Sequence, residues 1–331
     1  MTEKEYRKLD AINYSTLSRL NNSPVGLNAP SEQTSFFTMG SLVDCLCTTP
    51  DEYYNKYYVS TVAMPSDAMV EYCKALVETN DPQAAWTASG LKSDPAVPPK
   101  SSKDGLSKYD KEGKGYYNDL IAGKGKEVIS FEQHTQANML TTILEQNKFT
   151  GKYFNKQTNL FQVALEWEYM GKSCKSLLDI VDIDNELKTI RPVDLKTTGK
   201  SVFTFMRSYI DYKYYLQASF YTAALKFALK YDDRFIAYEN YTVLPFQFIV
   251  IETNYKNPPH IFEVDEQDIL VGEKGGKING RDYSIKGFKE LIEDLEYHRN
   301  NNQWEYKSEI YANDGIISIN SLKSKEIEIV T

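Results

Sequence analysis

The chain has 331 residues, of which 41% are hydrophobic and 25% are charged, and this is enough for one large domain or two modest ones. It contains no apolar run of transmembrane length and opens on a charged, polar segment, so we expect a cytoplasmic protein that has no membrane partner. The net charge of −8 argues mildly against nucleic-acid binding, although an acidic chain can still carry a local basic groove.

The four cysteines give no sign of a metal site or of a disulfide framework. They form no Cys-x-x-Cys pair, and no histidine clusters with them, so a zinc site is not expected. We expect all four to be free thiols, mostly packed inside the protein: Cys45, Cys47, Cys73 and Cys174.

Two helices are predicted near the start of the chain. Residues 13–20 are typical of a capped helix start, with Asn13 or Ser15 able to accept the first free amides. Residues 40–48 predict a mostly buried helix in which Asp44 is the one charged residue.

A change of composition marks residues 89–126, where glycine, serine, proline and lysine dominate. This composition is typical of a loop-rich, mobile segment. Two interpretations stay open with equal weight: a solvated linker, or a basic flap whose lysines contact DNA phosphates. The 25 tyrosines leave a similar choice, because tyrosine can stack on bases but more often serves packing.

The second half of the chain predicts an alternation of helices and strands. In chain order these are a helix at 132–147, strands at 159–169, 175–183 and 188–196, a helix at 212–230, a strand at 243–253 and a helix at 283–300. A hairpin turn at 184–186 joins the second and third strands, and the very apolar strand at 243–253 is expected to be central in the sheet. This order predicts an α/β sandwich core with added helices.

The second and third strands carry the residues that point to chemistry. Asp194 and Lys196 are two apart and therefore share a face of their strand, and Asp179 shares its face with Val181 and Ile183. If the two strands pair through the turn, residue 179 lies close to residues 191–194, and Asp179 can join Asp194.

Two converging carboxylates are costly unless a positive charge lies between them, and a divalent cation such as Mg²⁺ or Mn²⁺ is the natural occupant. Lys196 beside that cation would position a water and stabilise developing phosphate charge. An Asp-x-Lys triplet alone is common by chance. The order of carboxylate strand, turn, Asp-x-Lys strand and helix is what favours phosphodiester hydrolysis.

The same segments resemble a known group of nucleases. Residues 176–182 (SLLDIVD) and 192–199 (PVDLKTTG) resemble the core of the PD-(D/E)XK superfamily, and more narrowly the RecE-type (exonuclease VIII-like) phage exonucleases and their RecB-like relatives. The helix that follows carries a Gln-x-x-x-Tyr pattern at Gln217 and Tyr221, which places the two residues on one helix face. The segments 12–24, 36–50 and 113–146 are similar to the N-terminal and middle regions of that group.

The resemblance implies a fold and a domain plan. The fold would be a PD-(D/E)XK (restriction-endonuclease-like) core, with a mixed central sheet flanked by helices and N-terminal helical additions. Residues 1–331 would form a single nuclease domain. Its parts would be an N-terminal helical part at 1–130, the core at 131–300 and a C-terminal extension at 301–331.

The resemblance also implies roles for site residues. Asp179 and Asp194 would bind the metal with help from the Leu195 carbonyl, and Lys196 would act on the attacking water. Gln217 and Tyr221 would hold the site or the DNA backbone. No iron–sulfur cluster is expected, because no cysteine follows Cys174.

One departure from the family pattern lies at Asp44, where the family usually has a metal-binding histidine. Aspartate is an oxygen ligand suited to Mg²⁺ or Mn²⁺, so we predict Asp44 as a further ligand. The competing interpretation is a helix residue bonded to a nearby lysine or amide. Glu166 is a weaker candidate, and a solvent-facing strand residue is the favoured interpretation of it.

By resemblance, the protein is expected to be a Mg²⁺-dependent exonuclease that degrades linear double-stranded DNA, 5′ to 3′, for recombination in a phage or its bacterial host. Double-stranded DNA ends, a single-strand annealing protein and further copies of the chain are the expected partners. Two alternatives stay open: a catalytically weakened protein that binds DNA ends, and an endonuclease of the same superfamily.

Overall fold

The computed structural model describes residues 3–28, 35–98, 100, 102, 104–278 and 284–317. Internal contacts divide the chain into two compact units, Met1–Thr38 with Ile143–Thr331, and Met39–Thr142. Within the described ranges, no helix is both long enough and apolar enough to cross a membrane.

The α-helices of the described residues are α1 (Glu3–Lys8), α2 (Tyr14–Asn22), α3 (Ser35–Thr48), α4 (Tyr53–Lys56), α5 (Asp67–Thr79), α6 (Pro82–Ser89), α7 (Lys114–Gly123), α8 (Phe131–Gln146), α9 (Gly151–Asn155), α10 (Phe205–Asp211), α11 (Tyr214–Tyr231), α12 (Glu266–Lys274), α13 (Phe288–Asn301) and α14 (Ser308–Ala312). The strands are β1 (Tyr57–Val59), β2 (Glu127–Ile129), β3 (Leu160–Tyr169), β4 (Lys172–Asp184), β5 (Thr189–Thr198), β6 (Thr242–Val243), β7 (Gln247–Glu252) and β8 (His260–Glu263).

A mixed sheet forms the centre of the first unit. Its strands lie in the order β3-β4-β5-β7-β8, with β6 beside β5. The β3-β4-β5 meander is antiparallel, β5 and β7 are parallel, and β8 returns antiparallel to β7. All six residues of β7 are buried, as its apolar sequence predicts for a strand with neighbours on both sides. The predicted class, a mixed central sheet with flanking helices, is confirmed.

Helix α11 packs against β3, β4 and β5 and thereby covers the strands that carry the acidic residues. Its Leu216 and Phe220 are buried in the main core, and Phe220 contacts Trp167 of β3 with ring centroids 4.7 Å apart. Helix α12 lies close to α11 because residue 272 is glycine. A Cβ there would come within 2.5 Å of the Tyr215 carbonyl oxygen. This packing holds α11 firmly over the sheet.

The second unit has a small core of its own. Strands β1 and β2 pair in parallel, and the buried residues of helices α5, α6 and α7 form the core with Val128. Asp119 of α7 is buried and accepts hydrogen bonds from the Ser60 and Thr61 hydroxyls and from the Thr61 amide, at 2.7 to 3.0 Å. These bonds attach α7 to the chain that follows β1.

The structure corrects two sequence predictions in the first half of the chain. The segment 89–126 is not a continuous loop, because a π-helical turn at Tyr109–Gly113 leads into α7, with Tyr116 buried. Its residues 99, 101 and 103 lie outside the described part. Helix α3 also extends further towards the N-terminus than residue 40, whereas α2 begins after Asn13 as predicted, with the Asn13 side chain accepting the Thr16 amide.

The second half needs further corrections. The predicted strand at 243–253 is two strands, because Pro245 lies between β6 and β7 and has no amide to donate. The helix predicted at 283–300 begins at Phe288, and residue 283 lies outside the described part. Near the end of this helix, His298 is 1% exposed and stacks on Trp304. All four cysteines are free and buried, as predicted.

Candidate active site

The centre of the candidate site is the Asp-x-Lys pair of β5. Both side chains lie on the same side of the strand, and the Lys196 ammonium is 2.5 Å from Oδ2 of Asp194. Asp194 is 2% exposed and the Lys196 side chain is 22% exposed, so the pair lies at the wall of the core with its lysine reaching solvent. An ion pair this buried depends on its partners, because an isolated charge there would be costly.

Asp179 joins this pair from the neighbouring strand. The pairing of β4 with β5 runs as far as Ile180 opposite Val193, and one further step in the same register brings Asp179 opposite Asp194. Oδ2 of Asp179 accepts a hydrogen bond of 3.0 Å from the Leu195 amide. A side chain thus replaces the backbone acceptor at the end of the ladder, and the two carboxylate-bearing positions meet there.

Strict alternation along β4 does not hold at this point. The main core includes both Leu178 and Val181, which alternation would place on opposite faces of the strand. On the adjacent strand β3, Gln162 has a φ of 48°, which is uncommon for a residue other than glycine. Extending the β3–β4 register places Gln162 opposite Asp179. The backbone irregularity therefore lies beside a carboxylate of the candidate site.

Helix α11 supplies the third contact to Asp194. The Gln217 side chain is 4% exposed and donates a hydrogen bond of 2.6 Å from Nε2 to Oδ1 of Asp194. Tyr221, one turn further along α11, has its pKa raised well above the usual value by burial, with additional contributions from Asp194 and Asp179. Its phenol therefore stays neutral, and any polar contact that it makes is that of a hydroxyl group.

The environment of Lys196 keeps its side chain charged. Burial alone would lower the pKa of Lys196, but the Asp194 carboxylate, with Tyr214 and Asp179, outweighs burial and raises it. The ammonium lies 5.0 Å from the centre of the Tyr214 ring and 6.0 Å from that of Phe248, within cation–π range. The Asp194 carboxylate therefore favours the charged form of Lys196.

Within the described part of the chain, Oε1 of Gln217 is a buried acceptor without a hydrogen-bond donor, whereas Oδ2 of Asp194 has the Lys196 ammonium 2.5 Å away. Buried acceptors without a donor are rare and suggest a missing water or ion. Mg²⁺ prefers oxygen ligands, and one or two carboxylates with waters suffice to bind it. The residues present therefore fit a divalent cation. No group of three or more histidine, cysteine or acidic residues suited to a metal occurs in the described ranges.

The remaining candidate ligands from the sequence are Asp44, the Leu195 carbonyl and Glu166. Asp44 lies half-buried in α3, and its backbone carbonyl accepts the Thr48 hydroxyl at 2.7 Å. It belongs to the second unit, and its role as a ligand stays a prediction. The Leu195 amide is bonded to Asp179, and the role of the Leu195 carbonyl also stays a prediction. Glu166 is exposed opposite Lys175, about 13 Å along β3 from the position facing Asp179.

Sequence reasoning missed the aromatic residues that surround Lys196. Tyr214 precedes Gln217 by three positions, a spacing that places both on one helix face and could have identified it. Tyr14 of α2 donates a hydrogen bond of 2.7 Å to the Tyr212 carbonyl. Burial raises the pKa of Tyr14, although nearby Lys196 lowers it in part. No sequence signal marks Tyr14, since a tyrosine at a helix start has no special meaning.

Among the comparisons with known proteins, a likeness to a solved structure extends over the whole chain. No protein-family model matches the sequence, and no curated protein matches it significantly. Among solved structures, the chain is similar to a crystal structure described as "Putative exonuclease" from Eubacterium rectale, with a TM-score of 0.47 and 12% sequence identity. The match covers 98% of each chain. At this identity and TM-score, the likeness carries no conclusion about activity.

Proposed function

We propose that this chain is a metal-dependent deoxyribonuclease of the PD-(D/E)XK type that degrades linear double-stranded DNA from its ends. The observation that carries the proposal is the arrangement around Asp194. One of its oxygens meets the Lys196 ammonium and the other accepts the Gln217 amide, while Asp179 lies across the strand pair. Two carboxylates, a fixed cation and a buried amide form a set suited to a phosphodiester.

Each side chain has a definable task in that reaction. Asp179 and Asp194 would hold Mg²⁺ or Mn²⁺, and Asp44 is a proposed additional ligand. The bound cation would supply Lewis acidity and charge neutralisation at the phosphate. Lys196 contributes a permanent positive charge for the charge that develops on the phosphoryl oxygens, and Gln217 fixes the orientation of the Asp194 carboxylate.

The finer parts of the proposal rest on the resemblance to RecE-type proteins alone. These parts are 5′-to-3′ polarity, a role in recombination in the cytoplasm of a phage-infected or bacterial cell, a single-strand annealing partner and assembly into a homo-oligomer. A catalytically weakened DNA-end-binding protein and an endonuclease are the competing functions, and one assay separates all three.

The assay supplies end-labelled linear duplex DNA and a covalently closed circle, each with Mg²⁺, with Mn²⁺ and with EDTA. We expect metal-dependent loss of the linear DNA only. The Lys196→Met variant should be slower by roughly a hundredfold to a thousandfold, because it lacks the cation at the phosphate. Lys175→Met is the matched control, since Lys175 is a buried lysine of β4 that bonds to the backbone carbonyls of Tyr6 and Leu9.

The possible outcomes separate the candidate functions clearly. Cutting of the closed circle would identify an endonuclease. Binding of linear DNA without hydrolysis in either metal would favour the end-binding protein. Equal rates for Lys196→Met and wild type would remove Lys196 from the reaction and overturn the proposed site.

A further inference from the structure

An exposed aromatic side chain lies one ring contact away from the residue that flanks Lys196. Tyr212 is 54% exposed, and its ring centroid is 5.7 Å from that of Tyr214, with an interplanar angle of 42°. The Tyr214 ring in turn lies 5.0 Å from the Lys196 ammonium. The exposed ring is therefore next to the candidate reaction centre, and nothing in the proposed chemistry uses it.

The backbone of Tyr212 is held firmly although its ring is exposed. Its amide donates to the Ser208 carbonyl at 2.9 Å, and its carbonyl accepts the Tyr14 hydroxyl at 2.7 Å. The next residue, Lys213, adopts a left-handed conformation with φ of 56°, which interrupts the helical backbone between α10 and α11. A left-handed lysine has a conformational cost that the surrounding contacts must offset. The junction thus presents the ring in a defined position.

Two lysines, Lys213 and Lys307, supply positive charge in the region of this junction. Lys213 donates to the Asn22 side chain, and Lys307 donates to the Asn21 carbonyl at 3.0 Å. The two ammonium groups are near enough to interact: burial lowers the pKa of Lys213 and Lys307 lowers it further, while Asp211 opposes this effect. In a chain of net charge −8, Lys213, which follows Tyr212 in the chain, and Lys307, which interacts with Lys213, are a local source of the positive charge that phosphates require.

We propose that Tyr212 is a stacking platform for a nucleobase of the DNA strand that enters the candidate active site. This inference rests on the proposed nuclease function and adds a binding subsite to it. A nucleobase fits because it offers a π-face to the ring while its backbone phosphates lie near Lys213 and Lys307. Stacking tolerates any base, so the subsite would hold a strand end without selecting a sequence.

The test measures duplex binding separately from hydrolysis. Equilibrium Kd values are measured by fluorescence anisotropy in EDTA, for duplexes with intact ends and for duplexes in which one of the three terminal residues of either strand is abasic. We expect Tyr212→Ala to raise Kd for the intact duplex by roughly fivefold to a hundredfold. When the abasic residue is the one that stacks on Tyr212, the wild type should bind that duplex as weakly as Tyr212→Ala binds the intact duplex. Tyr212→Ala itself should bind this abasic duplex no more weakly than it binds the intact one.

Two variants serve as controls. Tyr212→Phe keeps the ring and loses the hydroxyl, so it should bind like wild type, whereas a loss equal to that of Tyr212→Ala would mean a hydroxyl contact and would overturn stacking. Tyr231→Ala removes an exposed tyrosine at the far end of α11, about 25 Å along the helix from Tyr214, and should leave Kd unchanged.

The outcomes distinguish this inference from the proposed function. An unchanged Kd for Tyr212→Ala on every duplex overturns the stacking platform and leaves the nuclease proposal intact. Tyr212-dependent binding without any metal-dependent hydrolysis supports the platform and overturns the nuclease. Because the Tyr14 bond is made to the backbone carbonyl of residue 212, each variant keeps it, and equal thermal midpoints will verify folding.

Discussion

Gln217 donates its side-chain amide to Oδ1 of Asp194 at 2.6 Å, and this bond links helix α11 to strand β5 inside the core. The two residues are 23 positions apart and both are at least 95% buried. The bond leaves Oδ2 of Asp194 to Lys196, and the strand register places Asp194 opposite Asp179. The site is therefore organised around one buried acid held from two sides.

Replacing Gln217 should weaken metal binding without abolishing the fold. In Gln217→Ala the Asp194 carboxylate loses its orienting donor, so we expect the apparent Kd for Mn²⁺ to rise by about tenfold to a hundredfold. Titration with Mn²⁺, followed by electron paramagnetic resonance, measures this. Gln247→Ala is the matched control, because Gln247 is a buried glutamine of β7 bonded to Tyr153 and Glu263, and it should not change Mn²⁺ affinity. Equal effects of the two variants would contradict an orienting role.

Asp179 is a proposed metal ligand and also the acceptor for the Leu195 amide, and substitution can separate these two roles. Asp179→Asn keeps a side-chain oxygen for the Leu195 amide, so its thermal midpoint should stay near that of wild type while Mn²⁺ affinity falls at least tenfold. Asp179→Ala should lose both thermal stability and Mn²⁺ affinity, because the Leu195 amide then has no acceptor there. Asp182→Asn on the same strand, in an ion pair with Lys156 at 3.3 Å, should leave Mn²⁺ binding unchanged. Unchanged affinity in Asp179→Asn would refute its assignment as a ligand.

The Asp194–Lys196 pair should show strong thermodynamic coupling. Asp194→Asn leaves the largely buried Lys196 side chain without its main counter-charge, so the free energy of unfolding should fall by about 3 kcal/mol. Adding Lys196→Met should restore more than half of that loss without restoring activity. Urea unfolding of the two single variants and the double variant measures the coupling. In comparison, Glu71→Gln, in an exposed pair with Lys74, should cost less than about 1 kcal/mol. Additive effects at residues 194 and 196 would rule out the coupling.

The C-terminal helix α14 should respond to pH through Lys286 and Glu309, which form an ion pair. Burial acts to raise the pKa of Glu309, but the Lys286 contact outweighs it and the net pKa is lowered. The pKa of Lys286 is raised, because Asp294 and Glu309 outweigh burial, which alone would lower it. A lowered acid pKa contributes stability above about pH 4.3 that is lost as pH falls through the folded value, whereas a raised lysine pKa contributes stability that is lost above about pH 10.4.

Thermal unfolding of wild type and Glu309→Gln across pH tests this window. The thermal midpoint of the wild type should exceed that of the variant by a constant margin between about pH 5 and pH 9, and this margin should vanish at lower pH. Glu305→Gln, at an exposed position of the same segment, should show no margin at any pH. A margin for Glu309→Gln that persists unchanged to pH 2 would contradict the ion pair.

The sequence predicted the elements whose residue pattern is strong. Alternating strands with a polar turn at 184–186 were enough to place β4 beside β5, and therefore Asp179 near Asp194. The four-residue spacing from Gln217 to Tyr221 predicted one helix face, although the contact of Gln217 with Asp194 also needed the packing of α11 across the sheet.

Other features had no readable pattern. The glycines and lysines in and around α7 make its sequence resemble that of a loop, and β8 is too short to show alternation. The left-handed residues Gln162 and Lys213 are of types that rarely adopt that conformation, so tertiary contacts and not local preference place them. Tyr212 is exposed beside Tyr214 at the junction that Lys213 forms, and composition alone could not separate it from the other tyrosines.

The most direct test of the central claim is the rate at which the chain releases nucleotides from end-labelled linear duplex DNA in Mg²⁺, compared between wild type, Asp194→Asn and Asp182→Asn. Wild type and Asp182→Asn should release nucleotides, no release should occur in EDTA, and Asp194→Asn should be at least a hundredfold slower. Release by Asp194→Asn at the wild-type rate, or no release by wild type in either Mg²⁺ or Mn²⁺, would contradict the proposed function.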